Sequence, residues 1–520
     1  MNSKTWTRII ALALFAALAF PVHLGAQDNQ DHNNNPKHHH YKLFDLGTFG
    51  GPGSGISNQS SPALNGRGAL VGVSDTSMSD PYYPDCFFDC YVDYGWVWQS
   101  GVLTQLSSLP GGASNFPVSI NNHGQIAGVS QNGAIDPLTG WPQADAVIWQ
   151  DSQITNLGTL GGNQSSANAN NNRGQVVGAA LNTTLDPFAN ATLPSNNLCS
   201  PCGSFAQTFL FAPAATETHA FRWTSDEGMQ DLGTLGGPDS SAWIINDRGQ
   251  IAGESFTGFT ANPSTGVPTM DPFLWEKGKG MTDLGGLGGT FGYPTWMNNR
   301  GEVVGNSNLP GDISFHAFLW SKSRGMQDLP TLGGSFSFAN WVNDAGVVVG
   351  GATPPGDQVQ FAVLWKDGMI TSLATIAGDD FSHAISINSQ EQIVGTSCCG
   401  TIPGGVTGVL WENGERGADL NTLLLPGTTM LVTEALIIND GGEIGCLGLD
   451  SATMSERACV LVPCDEHHPG VEGCDYSLVD TSAAAAAAAL APRTVPSGTQ
   501  RPPQSRRTNR YPIPGLQPSR

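Results

Sequence analysis

The chain has 520 residues and a formal net charge of −22, from 44 acidic against 22 basic side chains, with 66 glycines and 34 prolines. So acidic a surface repels nucleic acid and anionic membranes, which removes both as partners, and it suits cations, neutral glycans or basic proteins. No apolar run after the first twenty residues is long enough to cross a bilayer.

Residues 1–26 read as a secretory signal: Lys4 and Arg8, an apolar run from Ile9 to Phe20, then Gly25-Ala26 before a cleavage point at Gln27. A secreted, extracellular or envelope location follows. Residues 27–41 are polar and lack anything to bury, so a disordered segment is expected there, with His38, His39 and His40 weighed as a weak metal cluster against a solvated tail.

From residue 42 to 463 three phrases recur in fixed order. The first is Asp231-Leu232-Gly233-Thr234-Leu235-Gly236-Gly237, with variants beginning at Asp45, Asn156, Asp283 and Asp328. The second is apolar-Asn-x-x-Gly-Gln-Ile-x-Gly, whose asparagine falls at Asn65, Asn121, Asn171, Asn246, Asn298, Asn343, Asn388 and Asn439, at spacings between 45 and 75 residues. The third is an aromatic-Leu-Trp phrase such as His316-Ala317-Phe318-Leu319-Trp320. Asn, Asp and Gly at the turn and a β-rich run after it mark a hairpin. Four short strands per unit predict an all-β chain built as a propeller. Seven Asp-Leu strands follow a module, at Leu106, Leu157, Leu232, Leu284, Leu329, Leu373 and Leu420, so the eighth is Leu43–Leu46 at the other end of the chain. That arithmetic predicts eight four-stranded blades closed by the N-terminal strand against Ala458–Val462. Seven blades with an atypical unit is the alternative.

With these phrases the chain resembles the extracellular HAF-repeat family, named for the His-Ala-Phe seen at His219-Ala220-Phe221 and His316-Ala317-Phe318. The resemblance implies a secreted bacterial repeat protein and carries over no catalytic residue. The phrase departs to Tyr94-Gly95-Trp96, Asp271-Pro272-Phe273 and Gln360-Phe361-Ala362, so its histidine is not a ligand required in every blade. The repeat tryptophans Trp98, Trp149, Trp223, Trp275, Trp320, Trp365 and Trp411 occupy one register and are expected in the core between blades.

Ten cysteines in an exported chain point to disulfides. They lie as near neighbours: Cys86 with Cys90, Cys199 with Cys202, Cys398 with Cys399, Cys446 with Cys459, and Cys464 with Cys474. Cys446 stands at the repeat's glycine and Cys459 at its phenylalanine, which predicts a cross-strand bond where elsewhere a ring lies over a glycine. Cys464, His467, His468 and Cys474 imitate a zinc set, but a disulfide-closed loop over 464–480 is the favoured reading. Residues 481–520 begin with seven alanines, Ala483 to Ala489, and hold six arginines and no acid, a linker or surface-association tail.

Successive antiparallel strands reverse direction, so the long connections from second to third strand share one rim. The richest, residues 75–93, carries Tyr82, Tyr83, Asp85, Phe87, Phe88, Asp89, Tyr91 and Asp93, pinched by Cys86 and Cys90. Aromatic faces beside acids suit sugar stacking or a cation; no cofactor is expected, and calcium is the ion those acids would suit. The expected function is a noncatalytic, monomeric binding or adhesion scaffold for an extracellular glycan or protein. A glycan-cleaving propeller is the alternative, with Asp85, Asp89, Asp136 and Asp186 as its acids.

Overall fold

In a computed structural model, residues 37–56, 62–82, 90–189, 214–263, 265–399, 405–412 and 417–480 are described. Eight four-stranded antiparallel sheets surround a common axis, which makes the chain an eight-bladed β-propeller. The fourth blade shows the plan: strands Ser240–Ile245, Ile251–Phe256, Met270–Glu276 and Gly280–Asp283 pair in chain order. The first strands of successive blades lie side by side around the axis. The last sheet takes its outermost strand from the far end of the chain, Tyr41–Asp45 against Glu456–Pro463, with Leu43 opposite Leu461 and Asp45 opposite Cys459. This is the closure the strand count requires.

The Asn-x-x-Gly turn is the joint between blades. The Nδ2 of Asn65 donates to the carbonyl of Asn121, that of Asn121 to Asn171, and the chain of bonds continues through Asn246, Asn298, Asn343, Asn388 and Asn439 at 2.8–3.1 Å. Asn439 then donates to the carbonyl of Asn65 at 3.0 Å, so eight bonds form a closed ring. Each Oδ1 meanwhile accepts two backbone N–H groups of its own turn, as Asn246 does from Arg248 and Gln250. All eight asparagines are buried. The turn sequence thus provides both the hairpin and the inter-blade bond.

The opposite end has its own link. The middle residue of the His-Ala-Phe phrase donates its N–H to the serine that opens the next blade: Ala220 to Ser240, Ala317 to Ser337, Ala458 to Ser54. In the sixth blade the residue making this bond is Ala362, to Ser382, and Gly350 pairs with Val363. The phrase there is therefore Phe361-Ala362-Val363, one residue later than the spacing of the letters suggested.

Between these ends the repeat glycine faces the repeat phenylalanine across the second and third strands, Gly253 opposite Phe273 and Gly305 opposite Phe318. A bulge in the first strand presses a carbonyl onto the same spot: a Cβ on Gly253 would lie 2.0 Å from the Ser241 oxygen and 2.6 Å from Phe273 Cζ. No side chain fits there. In the last blade the first strand carries two register shifts instead of one, and Cys446 and Cys459, paired in register, form a disulfide with Cα atoms 4.9 Å apart. Trp98, Trp149, Trp365 and Trp411 are buried as expected, whereas Trp223, Trp275 and Trp320 are half-buried against the core clusters; Trp149, Trp365 and Trp411 bond through Nε1 to carbonyls of the preceding blade's outgoing link.

Residues 37–39 differ from the disordered segment expected over 27–41. They form a strand paired with Leu478–Asp480. His38 is buried with its Nδ1 2.5 Å from Glu412, and although burial alone would raise Glu412, bonds from His38 and Gln392 hold it below its ordinary value. One clasped histidine explains why a polar stretch orders. Cys464 bonds Cys474, and His468 binds Asp465 at 2.7 Å, so the four-residue zinc-like set is a closed loop. Cys398 and Cys399 are bonded to each other.

Asn246→Asp keeps the two acceptor bonds of its turn and removes the one donor to Asn298. It is expected to lower stability by about 1–3 kcal/mol, because a buried carbonyl loses its partner and a charge is buried beside it. Urea denaturation checks this; an unchanged midpoint would show that the ring contributes nothing. Deleting residues 42–47 removes the closing strand and should lower stability by several kcal/mol, on the order of a whole edge strand, read as a fall in thermal midpoint.

Candidate binding face

The Asn turns and the links from third to fourth strand share one end of the propeller, and the links from second to third strand emerge at the other. At that second end, blades one to three stand taller than the rest. Their second strands run ten residues, Leu70–Ser79, Ile126–Ile135 and Val176–Leu185, against six for Ile251–Phe256 and Val303–Asn308. The last three residues of each long strand are exposed.

Each tall hairpin then turns on an Asp-Pro pair. Oδ1 of Asp80 accepts from Tyr82 N, that of Asp136 from Leu138 N, and that of Asp186 from Phe188 N, at 2.7–2.8 Å, and all three aspartates are buried. Asp136 and Asp186 are therefore equivalent turn caps one blade apart. The cleavage reading needs two carboxyls converging on one bond, and these two each close their own turn. Asp85 and Asp89 lie outside the described residues.

Of the aromatic and acidic cluster expected on the first loop, Tyr83, Asp85, Phe87, Phe88 and Asp89 also lie outside the described residues, with Cys86, Cys199 and Cys202. Cys90 is disulfide-bonded. Tyr82 sits in the Asp80 turn and Tyr91 is half-buried opposite Ser79. Asp93 departs from the expectation of a displayed ligand group. It is only 2% exposed, paired across the hairpin base with buried Asp75, and its N–H bonds Ser114 of the next blade.

What the face does display is apolar. Met78, Ile135, Leu138 and Leu185 crown the three tall hairpins, and Phe259 and Ile313 follow on blades four and five. Phe259 is 60% exposed and Ile313 77%. Five consecutive blades thus each present at least one large apolar side chain at the same end. These residues vary in identity from unit to unit, which hides them from a search for repeated phrases; aligning the units by strand length would have found them.

The histidine of the repeat phrase is a structural partner. His219 Nδ1 lies 2.8 Å from Asp231 and His316 Nδ1 2.8 Å from Asp328, the first residue of the Asp-Leu-Gly phrase. Burial would lower His219, but Asp231 and Glu217 outweigh it and raise the imidazole above its ordinary value. Other blades keep the complementarity by other means, Asn156 donating to Asp145 at 2.7 Å and Arg457 to Asp45 at 2.9 Å. The fourth blade breaks it. Asp271 faces Asp283, and burial followed by that charge pushes Asp271 up to about 6.

Further carboxyls are buried toward the axis and between blades. Burial drives Glu254 up to about 8, with Trp243 as its hydrogen-bond donor. Burial drives Asp239 well above its ordinary value, with the charge of Asp186 adding to it, and Asp186 itself rises to about 6. Near Glu254, Tyr293 bonds Asn306, and farther round Asn340 Nδ2 approaches His383 Nε2 at 2.6 Å. This polar belt was not legible as a unit, since its members occupy variable positions of different repeats. Among the described residues no group of three or more His, Cys, Asp or Glu is placed to hold a metal ion, and no helix is long and apolar enough to cross a membrane.

The sequence matches no protein-family model and no curated relative. Among solved structures the chain is similar to Kuenenia stuttgartiensis hydrazine synthase, at 8% identity and a TM-score of 0.32, over 61% of this chain and 45% of that one. It is also similar to TolB from Acinetobacter baumannii, at 9% identity and a TM-score of 0.28 over 75% and 79% of the two chains. A third is Trypanosoma rangeli sialidase, at 8% and 0.30 over 70% and 56%. The chain spans under half the length of the first of these. Likeness at this level carries no argument about activity.

Asp271 yields a sign-definite test. A carboxyl raised in the folded state favours its neutral form there, so it leaves stability intact below pH ~4, its unfolded value, and costs stability as pH rises through about 6. Asp271→Asn restores a donor facing Asp283 and is expected to gain about 1–2 kcal/mol at pH 7.5, discounted for partial exposure, and nothing below pH ~4. Thermal midpoints of both proteins across pH 3.5–8 check it.

Proposed function

We propose that this chain is a secreted, noncatalytic binding scaffold of the HAF-repeat kind, engaging an extracellular glycan or protein through the end that carries the tall hairpins. One observation supports this reading above the others: five consecutive blades raise exposed apolar side chains at one end of a ring locked at the other by buried asparagines. Rigid support beneath a varied rim lowers the ordering cost of binding.

The test is a glycan and secreted-protein array probed with the chain beginning at Gln27. Ile135→Glu with Leu185→Glu is expected to weaken a hit at least tenfold while leaving the thermal midpoint in place. Full binding by that double variant would place the ligand elsewhere, and turnover of a bound glycan that is lost in Asp186→Asn would replace this reading with the cleavage one. N-terminal sequencing of material from native cells is expected to begin at Gln27; a start at Met1 or Asn2 would remove export from the proposal.

A further inference from the structure

Charge is segregated along the propeller axis. The lysines and arginines of the described blades gather at the Asn-turn end: Arg67, Arg173, Arg248 and Arg300 in the turns, the others in the links and strand ends beside them. Several are neutralised there, Lys277 by Glu227 at 2.7 Å, Lys366 by Glu391 at 2.6 Å and Arg300 by Glu302 at 2.7 Å. At the hairpin end Arg457 is the single lysine or arginine among the described residues. It is shared between Asp45 and Asp450, at 2.9 and 2.8 Å. Other blades carry carboxylates at the same end, Asp283 and Asp380 exposed, and Asp231 and Asp328 exposed but partnered by His219 and His316. The hairpin end is therefore strongly anionic and apolar at once, and its complement is a basic segment with apolar residues.

Residues 481–520 have that chemistry. They hold Arg493, Arg501, Arg506, Arg507, Arg510 and Arg520, no acid, and the stretch Tyr511-Pro512-Ile513-Pro514-Gly515-Leu516. Asp480 ends the strand paired with residues 37–39, near the Asn-turn end. A chain spans at most ~3.3–3.6 Å per residue, so Arg506 can lie about 90 Å along the contour from Asp480. The blades themselves are about 20–33 Å tall, from strands of six to ten residues. The tail is long enough to reach the far end of its own propeller.

We infer that the arginine-rich tail docks on the hairpin end of the same molecule, its guanidinium groups on the carboxylates and its Tyr511–Leu516 stretch against Ile135, Leu138 and Leu185. The contact makes the face self-masking. It goes beyond the binding proposal, because the face could take an outside ligand with no tail upon it.

Tryptic cleavage at Arg506 and Arg507 in the full chain, followed by mass spectrometry in 20 mM and 500 mM sodium chloride, tests it. Cleavage at low salt is expected to be at least tenfold slower, since salt screens the attraction, and independent of protein concentration over a hundredfold range. Hydrogen exchange should show residues 133–135 and 183–185 protected in the full chain relative to one ending at Asp480. Equal cleavage at both salts, protection confined to the Asn-turn end, or protection that grows with protein concentration would each overturn the inference. An outside ligand bound by the shortened chain, with no tail protection in the full one, leaves the binding proposal standing and removes this one; tail protection with no ligand found does the reverse.

Discussion

The structure depends on one side chain used in two directions. In each blade a buried asparagine folds its own turn with Oδ1 and catches the next blade's carbonyl with Nδ2, and the eighth bond returns to the first turn. Aspartate would supply the acceptor and lack the donor. Glutamine would add a methylene between a backbone held in a tight turn and a carbonyl at fixed distance. Because the bond passes always to the following blade, it sets the spacing and the rotation between sheets, and everything at the opposite end is positioned by it. The serine link above it and the tryptophan bonds to the preceding blade repeat the same principle, each joining neighbours and none reaching farther.

Such a joint leaves the other end free to vary. A second strand grows from six residues to ten by way of an irregular stretch and one more pair with the third, as Val176–Leu185 does where the register breaks after Leu181 and resumes at Leu185 opposite Thr216, and the ring beneath it is undisturbed. The inserts of the first three blades exploit this freedom. The cost appears where neighbouring blades meet: Asp186 and Asp239 each serve a local turn or backbone bond, yet the charge of Asp186 adds to the burial that raises Asp239. Blades two and three meet the same demand with Gln164 opposite Asp136, which is complementary.

The fold was legible because its determinants repeat. Asn246 and its equivalents, the missing eighth Asp-Leu strand, and the joint change of glycine and phenylalanine to Cys446 and Cys459 are each visible by comparing the chain with itself. The face was far less legible, for the same reason: what binds differs from unit to unit. Asp93 looked like a displayed acid because nothing in its neighbours shows that its strand continues past it into a buried hairpin base. His38 looked like part of a solvated tail because its partner, Glu412, is 374 residues away. The charge segregation was within reach, since sorting lysines and arginines by turn would have shown it, but a net charge sums both ends and hides the difference.

Closure by the first strand also dictates an order of events as the chain emerges from the ribosome or a translocon. Tyr41–Asp45 pairs with Glu456–Pro463, and Asn65 receives its bond from Asn439. Neither partner exists until more than four-fifths of the sequence has been made. Each new blade can settle on the one before it, but the array stays an open crescent with an unpaired strand and a bare Asn65 carbonyl at its leading end. Pairings so distant in sequence form late and slowly, and an exposed edge in that interval invites another chain. The first inner strand, Gly50–Ile56, carries Pro52, which has no N–H to offer another chain's edge while the last blade is awaited.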